Sequence, residues 1–522
     1  MKKLLSIIIC IVSVAGCSTD SRESDTHKWL EEMTIAQLQS GYREGRFTIS
    51  EVTAAYIDRI NAIDKSRPAL NSVIAINPDA LEIAGKLDQE MAAGIIHGPM
   101  HGVPVILKDN IDTRDNMPTT GGSKALENSF AGEDSFIAGQ LRKAGAVIIA
   151  KANLSEWANF RANVSSSGWS AAGGQTKNPY VLDRNPCGSS SGSGAAVSAN
   201  LCMAAVGTET DGSIVCPSNN TGIVGIKPTV GLLSRTGIIP ISFTQDTPGP
   251  MCRTVEDAAI LLGTMTGIDT LDSKTLDSEG RFPKVYTGYL KPDGLKGKKI
   301  GLIKDSGGYS DRVDTLMARA VRCMKAMGAE VVEVEAPSHR EYGDAEMQVL
   351  LYEFRDGLNK YLAGLGDEAR VRNLADLIEF NLNDPEELKY FDQKIFIEAE
   401  KKGDLSSTEY LDAIEKTRKA TRENGIDRML NENGLDALIS PTGSPAWKTD
   451  LILGDHFVGG NSSLAAVAGY PSITVPMGFA GELPVGITFT GTAWSEAKLI
   501  EIAFSYEQSS KHRKMPRFLA TD

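Results

Sequence analysis

Histidine is scarce in this chain. Six are scattered through 522 residues (His27, His97, His101, His339, His456 and His512), and none belongs to an H-E-x-x-H pattern. No C-x-x-C pair is present, so the usual ligand spacings of a zinc site are missing and no metal is expected. The seven cysteines are Cys10, Cys17, Cys187, Cys202, Cys216, Cys252 and Cys323. Two fall in the N-terminal leader, and the remaining five form an odd, irregularly spaced set that argues against a disulfide framework. Basic residues are outnumbered, 54 Lys and Arg against 67 Asp and Glu, for a net charge of −13. An acidic chain without a long Lys/Arg run is a poor match for a phosphate backbone, so a nucleic-acid partner is not expected.

Long apolar runs are also missing, apart from one at the start. Lys2 and Lys3 precede the stretch Leu4 to Val14, which has the length of a signal-peptide core and is too short to span a bilayer. Val14-Ala15-Gly16-Cys17 follows and matches a bacterial lipobox, in which the cysteine is lipidated and becomes the new N-terminus. Residues 1–16 therefore read as a lipoprotein signal peptide and 17–26, "CSTDSRESDT", as a polar tether. The expected location is the bacterial cell envelope, with the membrane reached through a lipid on Cys17.

Beyond the tether the pattern alternates. Residues 28–95 carry apolar positions at helical spacing, with Thr34 and Ser50 as N-cap candidates. "GVPVIL" ending at Lys108 and "AGAVIIAKA" read as buried strands, with the helix "DSFIAGQLRKAG" between them closed by Gly145. "SGSGAAVSANLCMAAVG" has the texture of a buried helix, and "LDALISPT", "PSITVPMGF" and "LPVGITFTG" return to strands. The fold class predicted is α/β: one large domain over 27–522, with a single mixed sheet built from both ends of the chain and helices on both faces. The charged stretch 268–430 reads as a helical insertion.

Serine is the residue in surplus where chemistry is expected. Cys187 to Ala199, "CGSSSGSGAAVSA", holds five serines and a G-x-S-x-G match centred on Ser190. A serine hydroxyl is a weak nucleophile without a base in reach. No histidine has a setting that marks it as that base, although a histidine triad stays open on the residues alone. Lys108 is the other candidate, because a lysine at the end of a buried strand loses solvation of its charge and can become a neutral proton acceptor. A second segment, "GTETDGSIVCPS", places Ser213 after Asp211-Gly212, a turn able to aim backbone N–H groups at one point.

These pieces, in order, resemble the amidase signature family: "HGVPVILKDNID", "TTGGSKAL", "KANLSEWANFR", "CGSSSGSGAAVSA", "GTETDGSIVCPS", "GIKPTVGLLSRTGIIPISFTQDTPGPMCRTVEDAA", "DALISPTGSPA" and "AVAGYPSITVPMG". The resemblance runs through nearly the whole chain after the leader. It implies an amide hydrolase with Ser213 as nucleophile, Ser189 as a bridging serine after a cis peptide, and Lys108 as base. It also implies an oxyanion site from the backbone N–H groups of Thr210, Asp211, Gly212 and Ser213. Substrate contacts are expected from Gly121, Gly122, Ser123, Trp157, Phe160 and Arg161. Cys187 stands where the family often has Gly, and Val215 where it often has Arg; with "NLSEWANFR" these departures are similar to the bacterial peptide amidase branch. The implied substrate is a linear carboxamide such as a C-terminal peptide amide, with no cofactor and no obligate protein partner. Fatty-acyl or aryl amides, or a non-catalytic amide-binding lipoprotein, are the alternatives.

Overall fold

The computed structural model describes residues 27–283, 285–366 and 369–522. The signal peptide, tether and Cys17 expected from the sequence lie outside the described residues. Eleven strands form one sheet: β1 (Val73–Ile76), β2 (Pro104–Lys108), β3 (Val147–Ala152), β6 (Ala204–Glu209), β7 (Val224–Lys227), β8 (Thr247–Cys252), β9 (Lys299–Ile303), β10 (Glu330–Val334), β11 (Ala437–Pro441), β12 (Ser472–Ala480) and β13 (Leu483–Thr490). Two further strands, β4 (Trp169–Ser170) and β5 (Gly174–Gln175), make a separate hairpin. The order across the large sheet is β1-β3-β2-β6-β8-β7-β12-β13-β11-β9-β10. Pairing is mixed: β2 lies parallel to β3 and β6, and β9 parallel to β10 and β11, whereas the pairs from β6 through β8, β7, β12 and β13 to β11 are antiparallel.

Every residue of β2, β3, β6, β7, β8, β11 and β13 is buried. A strand buried on successive residues is covered on both faces, which explains why β2, β3 and β11 read as apolar runs without alternation; the stretch read as a buried helix after Ser193 instead ends its helix at Ser198 and enters the sheet as β6 from Ala204. Strands from both ends of the chain share the sheet, as the sequence pattern predicts. The helices also form for legible reasons. Thr34 caps Ile35–Arg43 in a capping box with Gln37, and Ser135 caps Phe136–Lys143 before Gly145 turns the chain at φ +77°.

Three expectations change. Thr48, not Ser50, caps the second helix (Ile49–Arg59), because Glu51 at its third position completes a reciprocal box; Ser50 instead donates to Asp88. Residues 28–95 are not helical throughout, since Val73–Ile76 pairs with β3 as an edge strand. The stretch 268–430 is helical over most of its length but threads β9 and β10 through the sheet edge. β10, "EVVEV", exposes both its glutamates at the sheet edge, where charged side chains discourage pairing with another strand.

Candidate active site

Parallel strands leave a sheet at the same edge with their C-terminal ends, where α/β folds place their ligands. β2 ends in Lys108, and its parallel neighbour β6 ends in Glu209 and runs directly into the turn Thr210–Ile214. Lys108 is fully buried. Its Nζ lies 2.7 Å from Ser189 Oγ, 2.8 Å from Thr208 Oγ1 and 3.1 Å from the Thr208 carbonyl. Among the described residues no carboxylate pairs with it, so burial dominates and brings its pKa down to about 7, partly opposed by the charges of Asp246 and Glu209. A lysine in this setting carries a substantial neutral fraction near neutral pH.

Ser189 sits in the loop before the buried helix Ser191–Ser198, and the Gly188–Ser189 peptide bond is cis. Gly188 is required by contact: a Cβ there would lie 2.1 Å from Ser155 Oγ. Ser190, the centre of the G-x-S-x-G match, is fully engaged elsewhere. Its Oγ donates to the Thr208 carbonyl at 3.0 Å and accepts from the Thr208 amide at 3.2 Å, while its own amide donates to the Ser213 carbonyl at 3.1 Å. Ser190 therefore braces the site. Among the described residues, no histidine hydrogen-bonds to Ser189, Ser190 or Ser213; His101 is buried at the other end of β2, with Nε2 3.2 Å from the Leu87 carbonyl.

Ser213 is 8% exposed, whereas Lys108, Ser189 and Ser190 are sealed from solvent. Its turn is held from three sides. Glu209 Oε2 accepts the Ile214 and Val215 amides at 2.7 and 3.0 Å. Asp211 accepts from the hydroxyls of Ser462 and Ser463, both at 2.6 Å, and Thr210 Oγ1 donates to Asp246 at 2.6 Å. Gly212 adopts φ +80°, a conformation that side chains disfavour, and a Cβ there would crowd Ser462 Oγ at 2.9 Å. The backbone N–H groups of Asp211, Gly212 and Ser213 have no acceptor among the described residues. Fixed, unsatisfied donors of this kind suit a developing negative charge.

The remaining sequence candidates divide. Gly121, Gly122 and Ser123 adjoin the site, but their amides donate to the Asp109 carbonyl, Thr120 Oγ1 and the Thr120 carbonyl, and Ser123 Oγ donates to Glu387. These donors are satisfied internally. Arg161 is buried in an ion pair with Glu156 at 2.8 Å and stacks over Trp169, which makes it a packing residue. Trp157 is 2% exposed and packs edge-on against Phe396. Phe160 borders a cavity of about 470 Å³ beside Asp211, together with Glu346, Leu350 and Leu453. A second cavity, about 370 Å³, opens against Thr208 and Thr210 and is lined by Ile238, Ile239, Ile241 and Phe243.

Several functional groups escape sequence reasoning. Thr208 joins Lys108, Ser190 and Asn110, whose Nδ2 donates to Thr208 Oγ1 at 3.0 Å. Cys187 and Cys216 form a disulfide, leaving Cys202, Cys252 and Cys323 free. An odd, irregular cysteine count hides a single bond, and only the fold brings these two loops together. One group suited to a metal ion is present among the described residues, Glu90, His97 and His101, with one donor atom from each within 4.8 Å. It lies before β2, at the end remote from Lys108.

A model of the Amidase family matches residues 51–500. The chain belongs to the amidase signature family. This amidase is 40% identical to a probable amidase of Arabidopsis thaliana over 99% of its own length and 97% of that protein. It is similar to the native peptide amidase from Stenotrophomonas maltophilia, at 47% identity and a TM-score of 0.88, covering 94% of this chain and 99% of the other. A structure of peptide amidase with the competitive inhibitor chymostatin gives 48% identity and a TM-score of 0.91 over the same shares. The chain is thus a serine amidase, a hydrolase of C–N amide bonds, with the single α/β domain and mixed sheet expected of the family.

Proposed function

We propose that this amidase cleaves the terminal carboxamide of peptides, with Ser213 as nucleophile, Ser189 as proton relay and Lys108 as base. The observation that carries the reading is the 2.7 Å contact between the buried, unpaired Lys108 Nζ and Ser189 Oγ, next to the turn that presents Ser213. Neutral Lys108 accepts the Ser189 proton as Ser189 takes the proton of Ser213. Ser213 Oγ attacks the carboxamide carbon, and the oxyanion meets the open N–H groups of Asp211, Gly212 and Ser213. The relay returns its proton to the departing nitrogen, ammonia leaves, and the acyl-enzyme remains on Ser213. Water then attacks with the same relay as base, releasing the carboxylic acid.

Likeness to peptide amidases supports a peptide acyl group. The cavity at Thr208 and Thr210, lined by Ile238, Ile239, Ile241 and Phe243 and also by Arg235, Asp246 and Lys360, supports a large apolar side chain on the residue bearing the amide, since burying such a group contributes about 1.5–3 kcal/mol. The same lining keeps fatty-acyl and aryl amides as the second reading. Ammonia release from N-acetyl amino-acid amides should be fastest for Phe and Leu amides, roughly 10-fold or more above Gly amide in kcat/KM. Faster turnover of fatty-acyl or aryl amides than of every peptide amide would replace the first reading with the second. No turnover on the whole panel would leave a non-catalytic amide-binding protein.

We also propose export to the cell envelope and lipid anchoring at Cys17, on the strength of the leader and lipobox alone. Among the described residues no helix is long and apolar enough to cross a membrane. Cys17→Ala should move the expressed protein from the membrane fraction to the soluble fraction. Unchanged membrane partitioning would refute lipidation at Cys17 as the attachment.

A further inference from the structure

The relay serine and the nucleophile lie on different segments of chain. Cys187 immediately precedes Gly188 and Ser189; Cys216 follows Ser213 by three residues, in the first turn of the helix Val215–Asn220. Among the described residues, one hydrogen bond joins the segments 187–191 and 210–216 directly, from the Ser190 amide to the Ser213 carbonyl at 3.1 Å. The other direct link is covalent, the Cys187–Cys216 disulfide. Thr208, two residues before the turn, couples the two segments indirectly through Ser190 and Lys108, and beyond that each segment is held to its own surroundings. Cys187 accepts from Ser191 Oγ and donates to Asn185 Oδ1, whereas the Ser213 turn hangs on Glu209, Asp211 and Asp246. Cys187 also occupies the left-handed region at φ +61°, which non-glycine residues disfavour unless neighbouring constraints hold them there.

We infer that Cys187 and Cys216 are positioning residues, and that their disulfide sets the distance between Ser189 and Ser213, so that amidase activity depends on the oxidised state. The inference rests on the assignment of Ser189 and Ser213 made above. Cys216 is partly exposed, which gives a reductant a sulfur to attack, while Cys187 is 6% exposed. With a water-soluble phosphine, the phosphorus attacks one sulfur and the S–S bond breaks. Water hydrolyses the phosphonium thiolate, supplying the phosphine-oxide oxygen and both thiol protons. The two cysteines end as thiols and the phosphine has lost two electrons. No other group in the relay changes.

The test treats the full-length protein with the phosphine, confirms two new thiols by alkylation and mass spectrometry of the Cys187 and Cys216 peptides, and assays at a temperature below the melt of the reduced form. Reduction should lower kcat about 100-fold while KM stays within about threefold, as expected for reacting groups displaced by an ångström. Fluorophosphonate labelling of Ser213 should slow in parallel, and reoxidation should restore both. Cys187→Ser with Cys216→Ser should show the low kcat and no response to phosphine. Full kcat in a protein verified as reduced would overturn the inference. So would loss of activity only where circular dichroism shows unfolding, because the bond would then be a fold staple without a positioning role. Absence of label on Ser213 in the oxidised protein would instead overturn the nucleophile assignment.

Discussion

Replacing Ser213 with alanine is expected to lower kcat for carboxamide hydrolysis by about 10⁴-fold or more and to abolish covalent labelling by a fluorophosphonate, with the fold unchanged. Two observations support so large an effect at this serine rather than at Ser190. Ser213 is the partly accessible member of the set, beside open backbone donors in a turn whose Thr210 and Asp211 each line a cavity. Ser190 is sealed and its hydroxyl both donates to and accepts from Thr208. Ser190→Ala should consequently keep the fluorophosphonate label, and its loss of activity should come with a loss of stability, since the buried Thr208 amide loses its acceptor and the Thr208 carbonyl one of its donors. A label found on Ser190, or a Ser213→Ala protein that still turns over, would remove the assignment.

The second large effect is at Lys108, and it has a sign in pH. Its pKa is brought down to about 7 by burial, so the ammonium form dominates below that pH and the amine above it. Only the amine accepts a proton. kcat/KM should therefore rise with pH as a single titration near 7 and level off above it. Lys108→Met fills the same space without an amine. It should reduce kcat by about 10²- to 10⁴-fold and erase the rise near pH 7. Near-normal activity of Lys108→Met would show that another group is the base. The stability consequence runs the same way. An unfolded lysine keeps its proton up to about 10.5, whereas the folded one gives it up near 7. The resulting penalty on the folded state is absent above 10.5, grows as pH falls, and is complete below about 7. Lys108→Met should lose this pH dependence and melt no lower than the parent at neutral pH.

These two effects act on a network whose parts were unequally visible in the amino-acid order. Lys108 announces itself as a lysine closing an apolar strand, and Ser213 as a serine after Asp-Gly in a turn. Both are local patterns, and both persist in the fold. The strands β2, β3, β11, β12 and β13 are legible for the same reason: a continuous or alternating apolar run has one way to be buried. By contrast, Thr208 carries no local mark. It is a strand residue whose hydroxyl and carbonyl serve Lys108 because β6 lies beside β2. Arg161 is an internal ion pair in space, held at 2.8 Å by Glu156 five residues before it and at 3.6 Å by Glu387, from a distant stretch of chain that also takes up Ser123.

What the amino-acid order determined by itself is the class of protein and the chemical types at its centre: an α/β amidase with a lysine and two serines, and a leader that directs expectations about location. Periodicity, turn residues and ordered motifs act over a few residues, and a local signal survives folding. What only the tertiary structure decided is which serine is free and which is engaged, which cysteines are joined, and which backbone donors remain open. Each of those depends on distances between segments separated by tens to hundreds of residues, and such distances are set when the parallel strands β2 and β6 bring their C-terminal ends to the same edge of the sheet.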